Sequence, residues 1–146
     1  MTTQPDFEEL LGFLEKNNVR YMIIGGYAVA FHGHPRFTKD IDIFYARTQE
    51  NIDKLRKSLL AFGFSESEIP LSLFKKIGNI IQFGVAPVQI DLLNEIDGVT
   101  FEEAENYQIR GRYGAHEVNF IGREDLIRNK KASGRTQDKA DVEHLE

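Results

Sequence analysis

Within residues 39–45 (Lys-Asp-Ile-Asp-Ile-Phe-Tyr), Asp40 to Ile43 alternate between polar and apolar side chains, the two-residue period of a β-strand. Asp40 and Asp42 therefore leave one face of that strand, while Ile41 and Ile43 leave the other. Neighbouring carboxylates repel, and they lower the stability of a sheet unless positive charge stands between them. A solvated strand with surface acids is the plain explanation of such a pair. Ile41, Ile43, Phe44 and Tyr45 weigh against it, because so apolar a neighbourhood suggests a central strand.

Asp91 adds a second constraint. It sits inside Val88–Leu93, another apolar strand, where a lone buried acid is costly. A third strand-borne carboxylate converging on the first two removes both costs if they share cations. Three carboxylates on rigid strands form the hard-oxygen site that magnesium prefers, with water and phosphate oxygens completing the shell. Two such ions, about 4 Å apart, stabilise the attacking and leaving oxygens of a phosphoryl displacement. Spacing alone leaves the convergence of the three acids open.

The rest of the 146-residue chain reads as a mixed α/β (α+β) domain around one sheet. Residues 6–17 and 50–62 carry apolar side chains at helical spacing. Arg20–Ile24 reads as a buried strand, Tyr27–Phe31 as one or two helical turns, and residues 64–76 stay ambiguous. Asn79–Gly84 and Val88–Leu93 read as a hairpin across Val85-Ala86-Pro87, and Glu117–Ile121 as a further strand. Phe101–Asn106 suggests a short helix. Two helices, within about 123–145 and split at Gly134, end a single domain spanning 1–146.

Gly25-Gly26 follows the first strand and opens the first short helical stretch. Such a pair lets backbone approach a phosphate, although it is as often only a tight connection. There is neither a G-x-G-x-x-G fingerprint nor a G-K-[ST] P-loop. The combination is more telling. Ile24-Gly25-Gly26, thirteen residues, then Asp40-Ile41-Asp42-Ile43 resembles the signature of the polymerase-β-like nucleotidyltransferase superfamily. Arg36 and Thr38 match small bacterial members, and Asp91 fills the slot of the third acid.

This resemblance implies the nucleotidyltransferase fold, a mixed β-sheet with flanking helices. It implies a metal-dependent transfer of a nucleoside monophosphate from a nucleoside triphosphate such as ATP to an acceptor hydroxyl. Asp40, Asp42 and Asp91 are then the catalytic and metal-binding acids, with two magnesium ions expected and manganese as the alternative. Gly25, Gly26, Arg36, Thr38, Lys130 and Arg135 are the nucleotide-binding set. Lys130, Arg135, Asp138 and Asp141 also resemble a C-terminal motif of abortive-infection and toxin–antitoxin nucleotidyltransferases. By that likeness Lys130 binds triphosphate, while Asp138 and Asp141, three apart on one helix face, organise Lys130 and Arg135.

The acceptor stays open between a tRNA end, a protein and a small molecule such as an antibiotic. An antitoxin protein is the partner that a toxin role implies. The alternative to an enzyme is a non-catalytic nucleotide- or partner-binding module of the same fold. A glycosidase with paired carboxylates fits poorly beside a phosphate-type glycine turn.

Other features read as ordinary structure. His32 and His34 flank Gly33 as a polar turn, with His116 and His144 distant in sequence. Arg110, Arg112, Tyr107 and Tyr113 read as a solvated strand rather than a nucleic-acid platform. The net charge of -5 argues against broad nucleic-acid binding. Without cysteine there are neither disulfides nor thiol nucleophiles, which suits a cytoplasmic location. No signal peptide or membrane-spanning run is expected.

Overall fold

The acid-bearing run of residues 40–45 forms a central strand of a six-stranded mixed sheet. The computed structural model describes residues 3–34, 38–84 and 89–146. In chain order the strands are β1 (Tyr21–Ile24), β2 (Asp40–Tyr45), β3 (Ile80–Phe83), β4 (Gln89–Leu93), β5 (Ile109–Tyr113) and β6 (His116–Phe120). Their spatial order is β3-β4-β2-β1-β6-β5. β2 runs parallel to β4 and antiparallel to β1, while β1 runs parallel to β6. Antiparallel β3 and β5 close the two edges.

The helices are α1 (Pro5–Lys16), α2 (Gly25–Phe31), α3 (Gln49–Phe62), α4 (Leu71–Lys75), α5 (Phe101–Glu105), α6 (Arg123–Ser133) and α7 (Thr136–Leu145). α1 begins with Pro5, whose missing N–H would be unbonded there anyway. α3 is capped by the Thr48 side chain, which accepts from the Asn51 amide, and it stops at Gly63 with φ 133°. Gly134, in the left-handed region, separates α6 from α7. Among the described residues, no helix is long and apolar enough to cross a membrane.

Register sorts the sheet's side chains into two faces. Tyr21, Ile23, Ile41, Ile43, Tyr45 and Leu92 share one face and are fully buried. Tyr21 reaches α1 there, donating its hydroxyl to Glu15, and Tyr45 donates to the Phe74 carbonyl in α4. The other face carries Met22, Ile24, Asp40, Asp42, Phe44, Asp91 and Leu93. Downstream on this second face, Phe101 of α5 packs edge-on against Phe44 with ring centroids 5.2 Å apart. One continuous apolar cluster runs from Phe7 to Leu145.

Two regions differ from the sequence-based expectations. The ambiguous stretch 64–76 contains a 3-10 turn (Glu66–Glu68) and α4, pinned by buried Ile69 and Phe74. Its elements are too short for a periodic pattern to emerge. His144, distant from His34 in sequence, stacks on it with centroids 3.7 Å apart, joining the end of α7 to the turn after α2. The connection 85–88 of the hairpin lies outside the described residues.

Buried Asn51 fastens α3 to the sheet. Its Oδ1 accepts from the Arg20 amide at 2.6 Å, and its Nδ2 donates to the carbonyls of Arg20 and Ala46 at 2.9 and 2.8 Å. Asn51→Leu removes all three partners from backbone groups that water reaches poorly. The expected loss is about 2–4 kcal/mol of stability, read from the urea midpoint at unchanged m-value.

Candidate active site

The parallel pairing of β2 with β4 brings the acids together. Asp42 stands in register with Asp91, and Asp40 lies two residues earlier on the same face. Adjacent strands are about 4.8 Å apart, so the two in-register carboxylates are immediate neighbours. All three acids line one cleft of about 480 Å³, and Gly25 and Lys130 line it too. Gln89, on the same face, donates its Nε2 to Asp91 Oδ1 at 3.0 Å.

Electrostatics record the crowding. Burial pushes the Asp42 carboxyl up to about 8, helped by its hydrogen bond to Asp91 and the charges of Asp91 and Asp40. Lys130 pulls it back. Asp40 is also raised, first by burial and then by Asp91, with Lys39 opposing. The site therefore holds more acid than its surroundings neutralise, and a proton between Asp42 and Asp91 relieves part of the repulsion. A divalent cation relieves it better. The donors are all oxygens, the chemistry magnesium selects, and magnesium takes one or two carboxylates and fills its shell with water and phosphate. Among the described residues no group of three or more His, Cys, Asp or Glu side chains is placed so that it could hold a metal ion. To hold such an ion the three carboxylates would have to close on it, with water and phosphate oxygens completing its shell.

Gly25 is required by packing as well as conformation. It occupies φ +68°, and a β-carbon there would collide with the Asp42 carboxylate. Ile24 pairs with Asp42 across β1 and β2, which brings the glycine turn against the acid. Gly25→Ala is expected to cost about 1–2 kcal/mol through its left-handed backbone alone. It also pushes Asp42 aside, and a displacement of about 1 Å at reacting groups lowers turnover about a hundredfold. Thermal melting and steady-state kinetics on the same preparation separate the two effects.

The far wall comes from α6 and its junction with α7. Lys130 Nζ lies 2.9 Å from Asp138 Oδ1 and 3.1 Å from Asp141 Oδ2. Arg135 Nε donates to Asp138 Oδ2 at 3.0 Å, and the Ser133 hydroxyl binds the same oxygen. Burial alone would raise Asp138, yet hydrogen bonds from Ser133, Lys130 and Arg135 outweigh it and hold its carboxyl below the ordinary range. Gln137 donates to Asp141 Oδ1 at 3.1 Å.

The expected site residues thus fall into three groups. Asp40, Asp42, Asp91, Gly25, Lys130 and Arg135 line one cleft. Asp138 and Asp141 hold Lys130 from behind, and Asp138 also holds Arg135. Gly26 is buried in the first turn of α2, and Thr38 donates its hydroxyl to the Asp40 carbonyl at 3.2 Å, a local contact. Arg36 lies outside the described residues.

Further residues line the cleft that sequence reasoning did not single out: Gln82, Glu95, Asp97, Asn129 and Ser133. Glu95 was within reach of the strand period, which continues Asp91, Leu93, Glu95 on one face. Gln82 needed the pairing of β3 with β4, where it stands opposite Asp91.

Comparison with known proteins gives a family and a fold. The family described as "Nucleotidyl transferase of unknown function (DUF2204)" matches residues 3–146. No curated protein is significantly similar in sequence. Among solved structures, TM1012 from Thermotoga maritima, described as a nucleotidyltransferase, superposes with a TM-score of 0.65 at 14% identity, covering 98% of this chain and 94% of that one. The lincosamide antibiotic adenylyltransferase LnuA, solved with lincomycin bound, gives 0.58 at 17% identity over 99% and 96% of the chains. An antigenic nucleotidyltransferase-like protein from Paracoccidioides brasiliensis gives 0.57 at 17% identity, covering 96% of this chain and 74% of its own. At these identities the likeness is one of fold.

Proposed function

Because the chain belongs to that nucleotidyl transferase family, we propose that it moves a nucleoside monophosphate from a nucleoside triphosphate to an acceptor hydroxyl, with magnesium held by Asp40, Asp42 and Asp91. The observation that carries this reading is the in-register meeting of Asp42 and Asp91 across β2 and β4, with Asp40 beside them. When bound, magnesium supplies charge neutralisation on the triphosphate and a lowered pKa at the acceptor oxygen.

The chain's own groups do the rest. The acceptor oxygen bonds to the α-phosphorus, the bond to pyrophosphate breaks, and Asp91 takes the hydroxyl proton. Lys130 has three N–H donors, of which Asp138 and Asp141 occupy two. The third serves a phosphate oxygen in the cleft. Arg135 spends its Nε on Asp138 and keeps its two terminal nitrogens for the same anion. Backbone at Gly25-Gly26 approaches the phosphates from the opposite side, and Arg36 and Thr38 complete the nucleotide set. Catalysis is then mostly positioning and charge stabilisation.

Among acceptors, a small molecule suits the chain best. The net charge of -5 disfavours a large RNA footprint, and LnuA, which shares the fold, is a lincosamide adenylyltransferase. The toxin reading rests on the resemblance of Lys130, Arg135, Asp138 and Asp141, and it implies an antitoxin partner. Incubation with each labelled nucleoside triphosphate, magnesium and a cell extract tests all of these. Label is expected in a small molecule, to disappear with EDTA, and to return with magnesium or manganese. Label in tRNA or protein instead would move the assignment to the toxin reading. Tight nucleotide binding without any transfer would leave a binding module.

A further inference from the structure

A second cleft, of about 640 Å³, lies next to the first on the same side of the sheet. The two share a wall made of Glu95, Ile96 and Asp97. Strand alternation explains the alignment: Asp40, Asp42 and Phe44 follow one another along β2, as Asp91, Leu93 and Glu95 do along β4 and past its end. The carboxylate end of this face lines the first cleft, and Phe44 with Phe101 floors the second. The shared wall is fixed from behind by α6. Asn129 Nδ2 donates to the Asp97 carbonyl at 2.9 Å, and Gly98, at φ +76°, leaves no room for a β-carbon against Ala132.

The lining has a definite chemistry. Ile77, Val99 and Phe101 give it apolar surface, and Ile77 is 59% exposed at its rim. Among the described lining residues, Glu95, Asp97, Glu102 and Glu103 give it negative charge against the cation Arg47, with Glu103 also accepting from the Thr100 hydroxyl at 3.0 Å. Arg47 already donates a guanidinium N–H to the Lys75 carbonyl. Among the described residues, no hydrogen bond or ion pair engages the carboxylates of Glu95 and Asp97. The volume falls in the usual range for a small-molecule pocket, about 300–1,000 Å³. A polyanion such as RNA would meet repulsion here, whereas an amine would be drawn in.

We propose that this second cleft binds the acceptor, and that the acceptor is a hydroxylated small molecule carrying ammonium groups. The inference rests on the transferase reading and adds to it the acceptor's place and charge. An amine held over Glu95 and the Glu102–Glu103 pair presents its hydroxyls across the shared wall to the acids of the first cleft. The apolar floor packs the molecule's carbon skeleton.

Neamine, a small hydroxylated polyamine, and its fully N-acetylated derivative are the probes. Each is titrated into the full-length protein while the methyl resonances of Ile77, Ile96 and Val99 are followed. Neamine is expected to shift these methyls and to bind at least about tenfold more tightly than the neutral derivative. The Glu102→Gln, Glu103→Gln double variant is expected to lose about tenfold in neamine affinity while keeping its nucleotide affinity. Equal binding of the two probes, or methyls that respond to an RNA oligonucleotide and not to neamine, would overturn the proposal. A protein that binds neamine at these methyls and transfers label to nothing keeps the amine site and loses the transferase reading.

Discussion

Asp42→Asn is expected to lower kcat/KM by about a thousandfold or more, about 4 kcal/mol of lost transition-state stabilisation. The same change should raise the melting temperature of the metal-free protein. Asp42 is held between Asp91 and Asp40 with its carboxyl pushed up to about 8. A carboxyl whose folded pKa lies above its unfolded value binds its proton more tightly in the folded state. Stability is then greatest below about pH 4 and falls as pH rises toward 8. The asparagine cannot ionise, so its advantage in EDTA should be small at pH 5 and several degrees at pH 8. Magnesium should stabilise the wild type more at pH 8 than at pH 5. A folded Asp42→Asn protein with full activity would remove the metal site from the argument.

The second large effect is expected at Lys130. Its side chain is 6% exposed, and those of Asp138 and Asp141 are 5% and 1% exposed. Lys130→Met strips two buried carboxylates of their shared cation, which costs about 3–5 kcal/mol. Against a total of about 5–15 kcal/mol for a domain, that is a large share. The melting temperature should fall by roughly 10 °C. Adding Asp138→Asn and Asp141→Asn to Lys130→Met should restore most of the stability, because no buried charge is then left alone. Activity should stay low in the triple variant. A single Lys130→Met protein as stable as wild type would show that the α6–α7 junction is held by packing alone. The sign with pH is opposite to that at Asp42. Asp138 is held below its ordinary range, so its contribution is present above about pH 4 and is lost on further acidification.

Much of the lining of the candidate cleft was legible in the chain because it rests on local patterns. The alternation in Asp40–Tyr45 told which side chains share a face, and Asp91 stood out as an acid inside an apolar run. The bounds of α6 and α7 followed from Gly134, whose left-handed conformation ends the first of them. What local pattern could not supply was pairing. The parallel register of β2 with β4 joins segments far apart in sequence, and nothing in either strand names its partner. The stacking of His34 on His144 was hidden for the same reason. β5 read as a surface strand, and Ile109, Arg110 and Arg112 are exposed, but Tyr113 is buried and Arg110 is tied to Glu15 at 2.9 Å and to Asn119. The second cleft had no signature at all, since its lining is gathered from four separate stretches between Phe44 and Glu103.

The long-range pairing of Asp42 with Asp91 also sets a schedule for biosynthesis. A nascent chain cannot unite these acids until β4 has cleared the ribosome, and Lys130 lacks its two ion-pair partners in α7 until residues 138 and 141 follow. Segments that must wait for distant partners order slowly. The proposed nucleotide cleft is therefore complete only once α7 has formed and docked.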